Sequence, residues 1–207
     1  MVPIPARPWG RAALLAASVG MLTLAYAPIG QFYLAWFGLV PWLVMLRHCR
    51  TRKAAFLWSA GGGIAFFAAN MWWLTGITTP GAAALIAYLG LYWGYAALFL
   101  RGCGVLAMLL PASESPIHES GRALAGATLT ATGWTALEYL RGTLFTGLPW
   151  LFIGHTQTPV LAMCQVADFA GAYGVSFWVA LVNATAAAAF FRGGRVRPIA
   201  PAVGAVA

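Results

Sequence analysis

Glu138 and Arg141 are the two residues whose chemistry stands out, because they are opposite charges set into an otherwise apolar run. An ionisable side chain inside or beside a membrane span costs roughly 2.5–3.5 kcal/mol at its centre on translocon scales, so each needs a partner or a task. Three residues apart on a helix, the two share a face and can pair. They predict either an ion pair that anchors a helix end at the membrane surface or a polar contact for a lipid headgroup or a docked domain. A stretch broken by Gly142, Gly147, Pro149, Gly154 and Pro159 follows them, with Trp150, Phe152 and His155 among the breaks. Glycine and proline interrupt a helix, and irregular backbone is tolerated at membrane depth only where protein or water covers it. The stretch therefore predicts a re-entrant or interfacial segment lining a cavity, or a loop lying on the membrane.

Other constellations are weaker. His155 with Ser176 could form a base and nucleophile of an intramembrane hydrolase. Ser176, however, stands in Gly174-Val175-Ser176-Phe177-Trp178, which lacks the second glycine of a G-x-S-x-G elbow. Asp168 reads as a helix-start residue. Cys49, Cys103 and Cys164 form no CxxC pair, so neither a disulfide framework nor a zinc site is predicted, and no metal or cofactor is expected.

The elements that must position these residues follow from composition. Of 207 residues, 61% are hydrophobic and 8% charged, against about 25% charged in a soluble domain. So few charges cannot cover a globular surface in water, which excludes an ordinary soluble enzyme. Apolar runs of about 20 residues, the length a span requires, predict an all-α integral membrane protein. Its six transmembrane helices fall at about 12–28, 31–46, 54–74, 82–110, 122–141 and 171–191, within a polytopic domain 1–197. Pro41 should kink the second span, Arg101 should snorkel from the fourth, and Gly90 with Gly94 should give the fourth a close-packing face. The polar stretch 111–121, with Glu114 and Glu119, reads as a loop. Residues 198–207 are too few to span and read as the start of a truncated seventh helix. The runs argue against a β-barrel, because they are apolar on every side instead of alternating.

The net charge of +8 could mark a nucleic-acid surface, so the placement of the basic residues decides. They cluster between apolar runs: Arg7 and Arg11; Arg47, Arg50, Arg52 and Lys53; Arg101 and Arg122; Arg192, Arg195 and Arg197. With a cytoplasmic N-terminus, all of these fall inside and Arg141 alone falls outside, as the positive-inside rule requires. The charge is a topology signal, and no nucleic-acid partner is expected.

Trp134, Glu138-Tyr139-Leu140-Arg141-Gly142, Gly147-Leu148-Pro149-Trp150, Gln157 and Tyr173-Gly174-Val175-Ser176-Phe177 occur in this order. The series resembles the membrane domain of bacterial apolipoprotein N-acyltransferases. Ala27-Pro28-Ile29-Gly30 and Met71-Trp72-Trp73 also resemble that family's first outer loop and the end of its third span. His155-Thr156-Gln157 departs from the family's usual Tyr-Ser-Gln triplet at its first two positions. The resemblance implies residence in the bacterial inner membrane and a phospholipid acyl donor. It also implies a diacylated lipoprotein acceptor, acylated on the amino group of its diacylglyceryl-cysteine through a cysteine thioester. In the family this chemistry belongs to a nitrilase-like domain with a Glu-Lys-Cys triad, expected beyond the end of this sequence. The chain by itself is therefore expected to be inactive and to supply docking residues: Glu138, Arg141, Gly147, Pro149, Trp150, Gln157 and Tyr173. No catalytic residue is assigned within it. The alternative is a small six-helix transporter or structural membrane protein, but neither internal repeats nor a buried ionisable pathway is seen.

Overall fold

The structure, a computed structural model, describes residues 8–112 and 115–193. Arg7, Glu114, Arg195, Arg197 and the segment 198–207 lie outside the described residues. The chain builds helices α1 (Pro8–Ala25), α2 (Val40–Arg47), α3 (Arg52–Met71), α4 (Thr79–Gly102), α5 (Val105–Leu109), α6 (Pro116–Thr143), α7 (Leu161–Cys164) and α8 (Ala167–Phe191), with no strand among the described residues. Three stretches, Arg52–Gly76, Thr79–Gly102 and Ala167–Phe191, are long and apolar enough to cross a membrane.

Six full spans are not confirmed by these helices. The second becomes a 3-10 turn, Phe32–Trp36, followed by the eight-residue α2, which is about 12 Å long and too short to span. Pro41 sits in the first turn of α2, where its missing N–H costs nothing, so it starts the helix instead of kinking it. Side chains replace the missing helical hydrogen bonds. Asn183 of α8 accepts from the Leu39 N–H at 2.8 Å and donates to the Ala35 carbonyl at 2.8 Å. The Ser18 hydroxyl donates to the Gly38 carbonyl and accepts from the Trp42 N–H. These four bonds give partners to backbone groups that the irregular segment would otherwise leave unpaired.

The fourth run also divides. α4 ends at Gly102, Gly104 adopts a left-handed conformation (φ 72°), and α5 follows. Arg101, expected to snorkel, donates to the Leu46 carbonyl at the end of α2, at 2.9 Å. The supposed loop 111–121 is helical from Pro116 onward. Ser115 caps α6, Pro116 opens it and Glu119 lies in its first turn, three helix-start signals in sequence. Glu119 meets the Arg192 guanidinium at 2.9 Å, tying α6 to the end of α8. α8 begins at Ala167 but breaks at Gly171 (φ 61°, ψ −165°), so its straight part starts where the sixth span was expected.

The bundle centre is a triangle of tryptophans, Trp42 of α2, Trp93 of α4 and Trp134 of α6. Their ring centroids are 5.6–5.8 Å apart, each pair edge to face, the arrangement aromatic quadrupoles favour. Trp42 donates to the Ser59 hydroxyl at 2.9 Å. α3 and α4 approach closely through Gly63 and Gly90. A Cβ on Gly90 would lie 2.8 Å from the Ile64 backbone nitrogen and 3.0 Å from the Ala60 carbonyl oxygen. Backbone cannot rotate away, so Gly90→Val should separate the helices and cost roughly 1–3 kcal/mol or more. Thermal unfolding in detergent would register the loss, with Gly20→Ala, which meets nothing within 4 Å, as the unchanged reference.

Candidate functional site

α6 carries Glu138 and Arg141 to one end of the bundle, where both are 4% exposed. The expected ion pair does not form; no salt bridge joins the two side chains. Each instead holds a different part of the irregular backbone that follows. The Glu138 Oε1 atom accepts from the Trp134 indole at 3.0 Å and from the Ile153 N–H at 2.8 Å. The Arg141 guanidinium donates to the Trp150 carbonyl and, at 3.3 Å, to that of Leu151. It lies over the rings of Phe67 and Phe152, 5.3 and 4.8 Å from their centroids, so cation–π attraction offsets part of its desolvation. The physical reason for the difference is local: the 150–153 backbone has no helix of its own, and its buried groups need partners more than the two charges need each other.

The clamp has further members. Tyr26, at the end of α1, donates to the Leu151 carbonyl at 3.1 Å. Leu151 is in the left-handed region (φ 55°), a conformation costly for a β-carbon-bearing residue, and its carbonyl is fixed by both Tyr26 and Arg141. Ser176 accepts from the Gly154 N–H at 3.0 Å. A side chain at Gly154 would meet the Ala172 carbonyl oxygen at 2.6 Å, so α8 can pass this close only because the residue is glycine. Ser176 is fully buried, and the His155 ring packs on Phe152 at 5.2 Å. With its oxygen engaged by Gly154 and no bond to His155 formed, Ser176 is a structural acceptor. The geometry does not support the hydrolase arrangement.

The remaining site candidates divide into three groups. Gly147 (φ 73°) closes the turn after α6 against the Gly142 backbone, Pro149 is exposed beside it, and Trp150 is half exposed and packs on Trp73 at 5.6 Å. Tyr173 lies against Tyr139 and Phe152, at 5.5 and 5.2 Å. Its flank opens on an outward groove of about 650 Å³ between α6 and α8, lined also by Thr135, Phe169, Phe177 and Trp178. Gln157 does not join them. It is 1% exposed, accepts from the Trp36 indole at 3.0 Å and donates to the Phe32 carbonyl at 3.1 Å, so it fastens the first irregular segment to the second. Beneath the clamp is a small cavity of about 30 Å³ bordered by Tyr26, Tyr92, Trp93, Glu138 and Arg141, room for a water. The Glu138 Oε2 atom is buried without a hydrogen-bond partner. Sequence reasoning passed over Tyr26, Phe67 and Tyr92, since nothing local marks a tyrosine or phenylalanine on a distant helix as a partner of Arg141.

His155 is half-buried, and burial, reinforced by the nearby Arg141 charge, pushes its imidazole below its usual pKa. A depressed folded-state value means that stability is fully present above the unfolded pKa of about 6.5 and declines as pH falls below it. Acidification from pH 7.5 to 5 should thus lower the thermal unfolding temperature in detergent more in the wild-type chain than in His155→Asn. Equal pH responses in the two proteins would contradict this.

Among the described residues no cluster of three or more His, Cys, Asp or Glu could hold a metal. The site is thus a buried polar clamp on irregular backbone at one end of an apolar helical bundle, with Trp150 and Trp73 packed together beside it. Residues 18–185 match the apolipoprotein N-acyltransferase N-terminal domain, and the chain belongs to that family. It is 32% identical over 171 residues to the apolipoprotein N-acyltransferase of Geobacter metallireducens, covering 79% of this chain and 30% of that protein. With the protein of the same name from Caulobacter vibrioides it shares 33% over 205 residues, 91% of this chain and 35% of the relative. With that of Rhizobium rhizogenes it shares 34% over 205 residues, 92% and 36%. The chain thus spans about a third of the length of the curated relatives it matches.

Proposed function

We propose that this chain is the membrane-embedded, non-catalytic part of an apolipoprotein N-acyltransferase of the bacterial inner membrane, with a cytoplasmic N-terminus. In this reading the Glu138–Arg141 end faces outward. Trp150, the turn at Gly147 and Pro149, and the Tyr173 groove dock the phospholipid acyl donor and the diacylated lipoprotein, while a nitrilase-like domain carries out the transfer. The observation that carries the reading is the fixed segment 147–153: its carbonyls and N–H groups are held from below by Arg141, Tyr26 and Glu138, which leaves Pro149 and Trp150 on the exposed side. A preformed surface loses little ordering entropy when a ligand binds. The groove between α6 and α8 is apolar enough for acyl chains.

The chain's own residues support a docking role over a catalytic one. A Glu-Lys-Cys site needs all three groups within hydrogen-bond reach. The one lysine, Lys53, sits at the opposite end of α3 from Phe67, roughly 20 Å along the axis, whereas Phe67 lies beneath Arg141. The test is a chimera in which residues 1–193 replace the matching part of the Caulobacter vibrioides relative. The chimera should acylate a diacylated lipopeptide and the 207-residue chain alone should not. Turnover by the chain alone, lost in Cys164→Ala, would overturn the assignment.

A further inference from the structure

The end of the bundle away from the clamp gathers every described Lys and Arg except Arg141. Three of those arginines, from three different helices, converge where α2 stops. Arg101 of α4 spends one nitrogen on the Leu46 carbonyl, and its Nε is buried with no hydrogen-bond partner. Arg11 of α1 lies over the Trp58 ring of α3 at 5.6 Å, and its Nε is likewise buried and unpartnered. Arg47, the last residue of α2, covers the Phe191 ring at 5.5 Å. Their common neighbours are His48 and Cys49. Arg11 and Arg47 both hold the His48 imidazole down, after burial. Arg11 and Arg101 both pull against the burial that raises the Cys49 thiol. Among the described residues, no carboxylate acts on either group. Of the described acids, Glu119 is engaged by Arg192, Glu138 lies in the clamp, and Asp168 begins α8 at that same end.

The C-terminal carbonyls of α2 offset part of this charge, yet one helix end carries about half an elementary charge against three guanidinium groups. Buried N–H donors without acceptors are costly, and an arginine fork matches a phosphate oxygen pair. Trp58 beneath Arg11 and the exposed Trp9 near the start of α1 are the side chains that favour the headgroup level. We propose that Arg11, Arg47 and Arg101 form a binding site for the phosphate of an anionic phospholipid headgroup, on the face of the bundle opposite the docking site. The proposal rests on the membrane-embedded reading but not on acyl transfer, and it assigns this lipid a bound, non-reacting position.

The test uses the purified 207-residue chain in mild detergent and native mass spectrometry with phosphatidylglycerol, phosphatidylcholine or inorganic phosphate. Wild type should retain phosphatidylglycerol at least fivefold better than phosphatidylcholine. Arg11→Gln with Arg101→Gln should remove that preference, while Arg52→Gln with Lys53→Gln, equal in charge lost but outside the convergence, should keep it. Equal retention of the two lipids by wild type would overturn the site, and so would equal losses in both double variants. Displacement of phosphatidylglycerol by millimolar inorganic phosphate would mark a general anion site and refute the lipid as its occupant. Should the Arg11/Arg101 double variant fail to fold, the wild-type preference and the competition by phosphate decide alone. Failure here leaves lipopeptide binding at the other face untouched, so the two readings fall separately.

Discussion

Arg141→Ala should lose both the fold of segment 147–153 and any docking that depends on it. The substitution strips donors from the Trp150 and Leu151 carbonyls and leaves Glu138 as a buried charge with no cation near it. Each buried acceptor left without its donor costs about 1–3 kcal/mol. Thermal unfolding in detergent should drop by on the order of 10 °C, and the Caulobacter chimera carrying the change should transfer little acyl chain. Arg192→Ala, at the other end of the bundle, should not reduce transfer. Because Glu138 and Arg141 grip different backbone groups, exchanging them should not rescue either: an arginine at 138 cannot accept from the Ile153 N–H, nor a glutamate at 141 donate to a carbonyl. Recovery of stability in the Glu138→Arg, Arg141→Glu protein would show that the two act chiefly on each other.

Gly147→Ala should be nearly as damaging, for a steric reason. Its backbone (φ 73°, ψ 145°) is in a region essentially reserved for glycine. An added Cβ would stand 2.0 Å from the Gly142 carbonyl oxygen. The turn that returns the chain over Arg141, whose carbonyl accepts from the Leu148 N–H at 2.9 Å, would have to open. A cost of roughly 3 kcal/mol or more is expected, read as lowered unfolding temperature and faster amide exchange at 148–153. Gly61→Ala, in open space on α3, should leave both measurements unchanged or slightly improved. A Gly147→Ala protein as stable as wild type would mean that this turn is not what fixes the loop.

Sequence and structure part company where backbone irregularity is rescued from a distance. The long helices α3, α4 and α8 were legible because uninterrupted apolar length is a property of the local sequence. Gly90 was legible as a close-packing residue for the same reason. The run 31–46 misled because its composition is that of a span. Its half-helical form depends on Asn183 and Ser18, which lie far away in sequence and meet Leu39, Gly38 and Trp42 only after folding. The start of α6 was hidden by its polarity, although Ser115-Pro116 with Glu119 was a readable helix-start signal. In the site, Glu138, Arg141 and Gly147 were visible as types that need a reason in an apolar chain. What each one holds was not visible, and proximity of two opposite charges suggested a pair where the structure satisfies backbone instead. Gln157, grouped with the docking residues by sequence, lies buried as a brace between the two irregular segments.

The central claim, that the clamped end docks the lipidated substrates, is tested most directly by placing a photoreactive amino acid at Trp150 or at Leu57 in the purified chain. Both positions are about half exposed, but Leu57 lies near the start of α3, away from the clamp. A radiolabelled diacylated lipopeptide should cross-link at Trp150, be competed away by excess unlabelled lipopeptide, and label Leu57 only at the level of random lipid contact. Equal, uncompeted labelling at the two positions would contradict docking at this end of the bundle.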